Sequence, residues 1–258
     1  MYLYDKDLEF IRFCSNYDLG ILHDYIVKGK NGKNRFTEGI TSKDIYKKNY
    51  PNHNIYWKEI LEEFQRYGGN SFVNFFRGNG VSYREILIDV CKKLKVNFNS
   101  KSDVTVIEGN LLDKILTDAL EKMSDQEINE LAKEAGIDTK NIKGKQSLII
   151  LFQAIFKAGG FKSYQLLVIV VNAVAKAILG RGLSLGGNAM LTKAASIFVG
   201  PIGWVITGLW TAIDIAGPAY RVTIPSCIQI AYMRSKYNYS KEYDLETGEH
   251  LIQRSNLY

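Results

Sequence analysis

Residues Ala194–Arg221 read AASIFVGPIGWVITGLWTAIDIAGPAYR, and the first twenty of them, through Ile213, carry no charge. Ser196, Gly200, Gly203, Thr207, Thr211 and Asp214 follow one another at intervals of four, three, four, four and three, which places them on one stripe of a helix. All six are small or polar. Phe198, Val205, Ile206, Leu209 and Ile213 take the opposite side, with Trp204 and Trp210 as large rings. A stripe of Gly, Ser and Thr lets another backbone come close, so the spacing predicts a helix-packing seam. The preceding stretch SYQLLVIVVNAVAKAILG, Ser163–Gly180, is interrupted only by Gln165, Asn172 and Lys176, again on a narrow stripe. RGLSLGGNAMLTK, Arg181–Lys193, supplies a bend. The two segments read as an apolar helical hairpin, and an antiparallel pairing sets Asp214 near Lys162 and Gln165.

Such a hairpin admits two environments. Twenty residues rising about 1.5 Å each span roughly 30 Å, the thickness of a bilayer's hydrocarbon core. Lys157 and Lys162 before the hairpin and Arg221, Arg234 and Lys236 after it suit two cytoplasmic ends, a bias weakened by Arg181 and Lys193 in the bend. Against a span stand Pro201 within the run and Lys176, since a central lysine costs roughly 2.5–3.5 kcal/mol on insertion scales. The residues leave open insertion in or attachment to a membrane, and burial of the hairpin in a soluble domain.

Outward from the hairpin the chain stays helical. NIYWKEILEEFQRYGG groups Ile55, Ile60, Leu61 and Phe64 and stops at Gly68 and Gly69. SYREILIDVCKKLKV carries a Ser82–Glu85 capping box, and SDQEINELAKEAG a Ser124–Glu127 box ending at Gly136. VIEGNLLDKILTDALEKM before it predicts an antiparallel partner. Asp5 or Asp7 can cap a first short helix, Asp18 a second, and Pro225 suits the first turn of a helix over YRVTIPSCIQIAYMR. The fold expected is all-α: a polar multi-helix domain over 1–145 with a short module over 1–40, an apolar hairpin region over 146–236, and a charged, tyrosine-rich tail over 237–258.

The charge distribution supports that division. Residues 1–160 hold 24 basic and 22 acidic residues, whereas 161–220 hold four basic residues and the single acid Asp214. A near-balanced N-terminal region is not the basic face of a nucleic-acid binder, so no specific nucleic acid is expected as a partner. Acids in MYLYDKDLEF stand where a signal peptide needs a basic end, and the three scattered cysteines Cys14, Cys91 and Cys227 show no C-x-x-C pairing. Both point to a cytoplasmic protein, with the inner membrane as the alternative address set by the hairpin.

No catalytic constellation emerges. His23, His53 and His250 lack a His or Cys at ligand spacing; KGKNGKNR lacks the spacing of a phosphate-binding loop, and GRGLSLGG that of a dinucleotide loop. No metal and no cofactor are implied. The most suggestive polar group is RGNGVSYR, where Arg77, Tyr83 and Arg84 at a helix start could contact an anion or partner, or form a helix corner whose arginines pair with acids such as Glu63.

GGNSFVNFFRGNGVSYREILIDVCKKLKV together with AGPAYRVTIPSCIQIAYMR, and a helical start like LYDKDLEFIRFCS, resembles the YaaW-like family of bacterial proteins, grouped loosely with ubiquinol-cytochrome c chaperones. That resemblance covers most of the chain and implies a helical assembly-factor fold; it implies no catalytic residues. Leu166–Ile215 is more apolar than the resemblance suggests. Residues and resemblance together predict a non-enzymatic interaction protein whose hairpin binds a membrane or a hydrophobic protein segment, the alternative being a soluble chaperone that holds a client helix beside Trp57 or Phe72–Phe76. Self-association stays open.

Overall fold

The computed structural model describes residues 2–29, 33–35, 39–69, 81–183, 189–214 and 219–242. In chain order the α-helices are α1 (Asn16–Val27), α2 (Asp44–Asn49), α3 (Trp57–Gly69), α4 (Tyr83–Lys93), α5 (Val104–Lys122), α6 (Asp125–Glu134), α7 (Lys145–Ala158), α8 (Gly160–Leu179), α9 (Ala189–Asp214) and α10 (Tyr220–Glu242). Short 3-10 helices cover Lys6–Phe13, Ile40–Ser42 and His53–Tyr56. No β-strand occurs among the described residues, so the all-α expectation holds.

Local chemistry sets the helix ends. Both capping boxes form: the Ser82 and Ser124 hydroxyls accept from the Glu85 and Glu127 N–H groups, and each glutamate accepts its serine's N–H in return. Two start signals shift. Ser15, not Asp18, caps α1, and Asp18 sits inside it, buried. Pro225 lies within α10, which begins at Tyr220. Asp5 caps the first 3-10 helix by accepting from the Asp7 N–H at 2.9 Å.

Burial ranks the helices. In α10 every residue from Val222 to Met233 is buried, in α8 every residue from Gln165 to Ala175, and in α1 every residue from Asp18 to Val27. A helix buried on all sides is a core element, and amphipathic helices must surround it. α10 packs against α1, α3, α4, α5, α8 and the first 3-10 helix. α8 and α9 form the expected hairpin, and α9 also rests on α5 and α6. α6 thus folds onto α9 and α7, not back along α5 as the sequence pattern suggested.

Buried charges tie α10 to its neighbours. The Arg234 Nε donates to both Glu108 carboxylate oxygens at 2.9 and 3.1 Å, and its Nη2 donates to the Asp7 carbonyl at 2.5 Å. Tyr83 completes the cluster by donating its hydroxyl to Glu108 at 2.6 Å. Burial pushes the Glu108 carboxyl upward, opposed by the Arg234 charge and the Tyr83 hydrogen bond. Lys236 reaches Asp18 of α1 at 2.8 Å.

Candidate functional site

The first part of the hairpin turn, Gly180–Leu183, is held by side chains from two directions, while residues 184–188 of the expected bend lie outside the described residues. α8 closes at Gly180, whose φ of 71° is left-handed and whose N–H donates to the Lys176 carbonyl at 3.0 Å. The buried Asn172 accepts the Leu183 N–H at 2.7 Å, and its amide lies so close to Gly182 that a Cβ there has no room. From α1, Tyr17 donates its hydroxyl to the Gly182 carbonyl at 2.7 Å, while Arg181 pairs with the buried Asp24. Of the three polar residues expected on one stripe of α8, Gln165 and Asn172 are buried and Lys176 is exposed. Lys162 donates to the Ala135 carbonyl at 3.0 Å.

Arg181 leads into a polar cluster that the sequence spacing did not reveal. The rings of His23 and His53 lie 4.8 Å apart, both buried among Tyr46, Tyr50 and Tyr56. The His53 Nδ1 and the Tyr56 hydroxyl are 2.7 Å apart. Burial, and next the neighbouring His23, bring the His53 pKa down to about 4. Asp24 is held well below the usual carboxylate range: burial acts to raise it, but hydrogen bonds from His23, Arg181 and Lys28 outweigh that. Both groups give the same sign. The unfolded chain binds more protons than the folded one below the ordinary histidine value, so stability falls as pH drops from about 6.5 toward 4, with Asp24 adding to the loss below about 4. Denaturant midpoints measured from pH 7.5 downward are expected to decline over that window, and His53→Gln is expected to flatten the upper part of the decline.

α9 inverts the face expected of it. Ala194, Ala195, Phe198, Pro201, Ile202, Val205 and Ile206 are buried, whereas Ser196, Gly200 and Thr207 are exposed and Gly203 is half-buried. A Cβ added at Gly200 or Gly203 meets nothing within 4 Å. The stripe predicted as the seam of the hairpin therefore faces away from α8, and the Thr211 and Asp214 side chains lie outside the described residues. The physical reason is area: within a chain folded in water, covering Phe198, Ile202, Val205 and Ile206 removes far more apolar surface than covering Ser, Gly and Thr. Trp204, on the outward side, is 72% exposed.

Of the second candidate group the structure describes Tyr83 and Arg84. Arg77 and Phe72–Phe76 lie outside the described residues. Tyr83 is fully buried, and Arg84 turns to the loop before α5, donating to the carbonyls of Ser100 at 2.7 Å and Ser102 at 2.6 Å. Glu63 is paired within its own helix, with Arg66 at 2.5 Å. Among the described residues no group of three His, Cys, Asp or Glu side chains is placed to hold a metal.

Comparison with known proteins places the chain. A UPF0174 protein of Helicobacter pylori J99 is 52% identical over 241 residues, 93% of this chain and 95% of the relative. The UPF0174 protein YaaW of Escherichia coli K12 is 31% identical over 239 residues, 90% of this chain and 95% of the relative. The chain belongs to the UPF0174 family. Within this UPF0174 chain, residues 52–228 match the ubiquinol-cytochrome C chaperone family, to which it therefore also belongs, and residues 2–36 match a domain of unknown function. The chaperone match runs from the 3-10 helix before α3 into the buried half of α10, taking in the hairpin. No solved structure matches this UPF0174 chain.

Proposed function

We propose that this UPF0174 chain is a non-enzymatic, chaperone-type holding protein of the cytoplasm that receives an apolar helical segment of a client on the outward face of α9. One observation carries the reading: from Ser196 to Gly208 that face holds no charge and presents Trp204 to solvent. A helix facing water ordinarily carries charged residues there, so an uncharged face with an exposed tryptophan calls for a non-aqueous neighbour. Gly200, Gly203 and Ser196 let a client backbone approach closely, and Trp204 supplies a large apolar contact. The ubiquinol-cytochrome C chaperone family accords with a client polypeptide.

A membrane surface is the second reading, favoured by the length and apolarity of α8 and α9, each sufficient to cross a bilayer. α8 is already enclosed by protein, so lipid contact would fall to α9 lying along the surface. Binding of a labelled, uncharged Leu/Gly-rich helical peptide in lipid-free buffer tests the client reading. Wild type is expected to bind, and Gly200→Lys and Trp204→Lys to weaken binding by at least about tenfold with unchanged unfolding midpoints. Absence of peptide binding, or indifference to both lysines, would overturn it; sedimentation with vesicles in place of peptide binding would favour the membrane.

A further inference from the structure

A groove with a volume of about 470 Å³ opens between α5, the start of α8 and the end of α10, away from the outward face of α9. That volume lies in the usual range of binding pockets. Leu112, Phe156, Leu167 and Tyr164 make its inner wall apolar, and Tyr164 stacks on Tyr239 with ring centroids 4.9 Å apart. The Glu108–Arg234 pair closes its buried end, where the two charges balance. At the mouth stand Thr105, Ser235 and Asn238, whose side chains make no hydrogen bond to another described residue, and Glu242, which has no cationic partner among them.

Gly109 adds an independent indication. It lies inside α5, where glycine weakens a helix relative to alanine, yet a Cβ there meets nothing within 4 Å and its backbone has no positive φ. Nothing inside the fold requires a glycine at this position. Its one evident effect is to leave the α5 backbone bare where it lines the groove, which suits close approach by an occupant.

We infer that this groove binds a short peptide segment of a partner that lays apolar side chains against Phe156, Tyr164 and Leu167 and sets a lysine or arginine beside Glu242. Since Glu108 and Arg234 offset one another, Glu242 is the unbalanced charge of the lining, and a cationic side chain complements it. The uncommitted Thr105, Ser235 and Asn238 can hydrogen-bond the segment's backbone. The inference rests on the client-holding reading and adds a second contact with its own charge preference.

The test is fluorescence anisotropy of the full chain with a short labelled Leu/Ala peptide carrying one central lysine, beside the same peptide with glutamate there. The lysine peptide is expected to bind saturably and the glutamate peptide at least about tenfold more weakly. Gly109→Trp fills the groove and is expected to weaken the lysine peptide about tenfold; Glu242→Arg, at an exposed helix end, is expected to abolish the preference for lysine. Gly200→Lys on α9 is expected to leave this binding unchanged. Failure to bind the lysine peptide, equal binding of both peptides by wild type, or loss caused by Gly200→Lys and not by Glu242→Arg would overturn the inference. The α9 reading is read separately, with the uncharged peptide.

Discussion

Arg234→Met is expected to destabilise the protein by about 3–5 kcal/mol, the loss typical of removing one partner from a buried ion pair. The Glu108 side chain is 4% exposed and that of Arg234 12%, so removing either leaves the other charge largely desolvated at the buried end of the groove. What remains is a carboxylate packed among α4, α5 and α10 that still accepts the Tyr83 hydroxyl. Its folded-state pKa then rises further above the unfolded value, and the variant should regain stability as pH falls and Glu108 takes up a proton. Adding Glu108→Gln to Arg234→Met removes the stranded charge while keeping an acceptor for the Tyr83 hydroxyl, and most of the loss should return. Equilibrium urea unfolding of the wild type and both variants measures this. If Arg234→Met unfolds at the wild-type midpoint, α10 is not the hub that joins α5 to the N-terminal module.

The second large effect contrasts two aromatic residues six positions apart on α9. Phe198→Ala is expected to cost about 3–5 kcal/mol, the range for truncating a fully buried phenylalanine, since Phe198 has no exposed surface. Trp204→Ala should stay within about 0.5 kcal/mol of wild type, because its ring stands mostly in solvent. Unfolding curves in buffer without detergent or lipid separate the two. A helix whose aromatic flank faced lipid would show neither the large loss at Phe198 nor the contrast.

Those two residues also show what could be read from the amino-acid sequence. The 3.6-residue period divides α9 into a small-residue stripe and a bulky one, and the structure keeps that division for Phe198, Val205 and Ile206 against Ser196, Gly200 and Thr207, while Trp204, grouped with the bulky side, turns outward. Periodicity does not say which stripe turns inward: in lipid a small-residue seam is the usual contact, whereas in water the bulky side gains more by burial. The helix starts at Ser82–Glu85 and Ser124–Glu127 were legible because side chains three residues apart make each capping box, whereas at α1 the same spacing was misassigned, with Ser15 and not Asp18 at the cap. The pairing of α8 with α9 was legible from two apolar helical stretches adjacent in sequence.

Contacts between distant parts of the chain were not. His23 and His53 come together only because α1 packs on the 3-10 helix His53–Tyr56, and Arg234 meets Glu108 across 126 positions. Single-sequence spacing carries no signal for either pair. The weight of α10 was missed as well: its buried first half runs straight into a charged second half, so its average polarity resembles that of a surface helix. Tyr83 was read at its helix start, where only the cap is visible from sequence, while its hydroxyl is committed to the core.

The account stands on the orientation of α9, and single-cysteine labelling measures that directly. In a Cys14→Ser background, with Cys91 and Cys227 left buried, Ser196→Cys and Thr207→Cys should react quickly with a water-soluble maleimide in lipid-free buffer. Ala195→Cys and Ile202→Cys should be protected until denaturant is added. Rapid labelling at Ala195 and Ile202 with protection at Ser196 and Thr207 would contradict it.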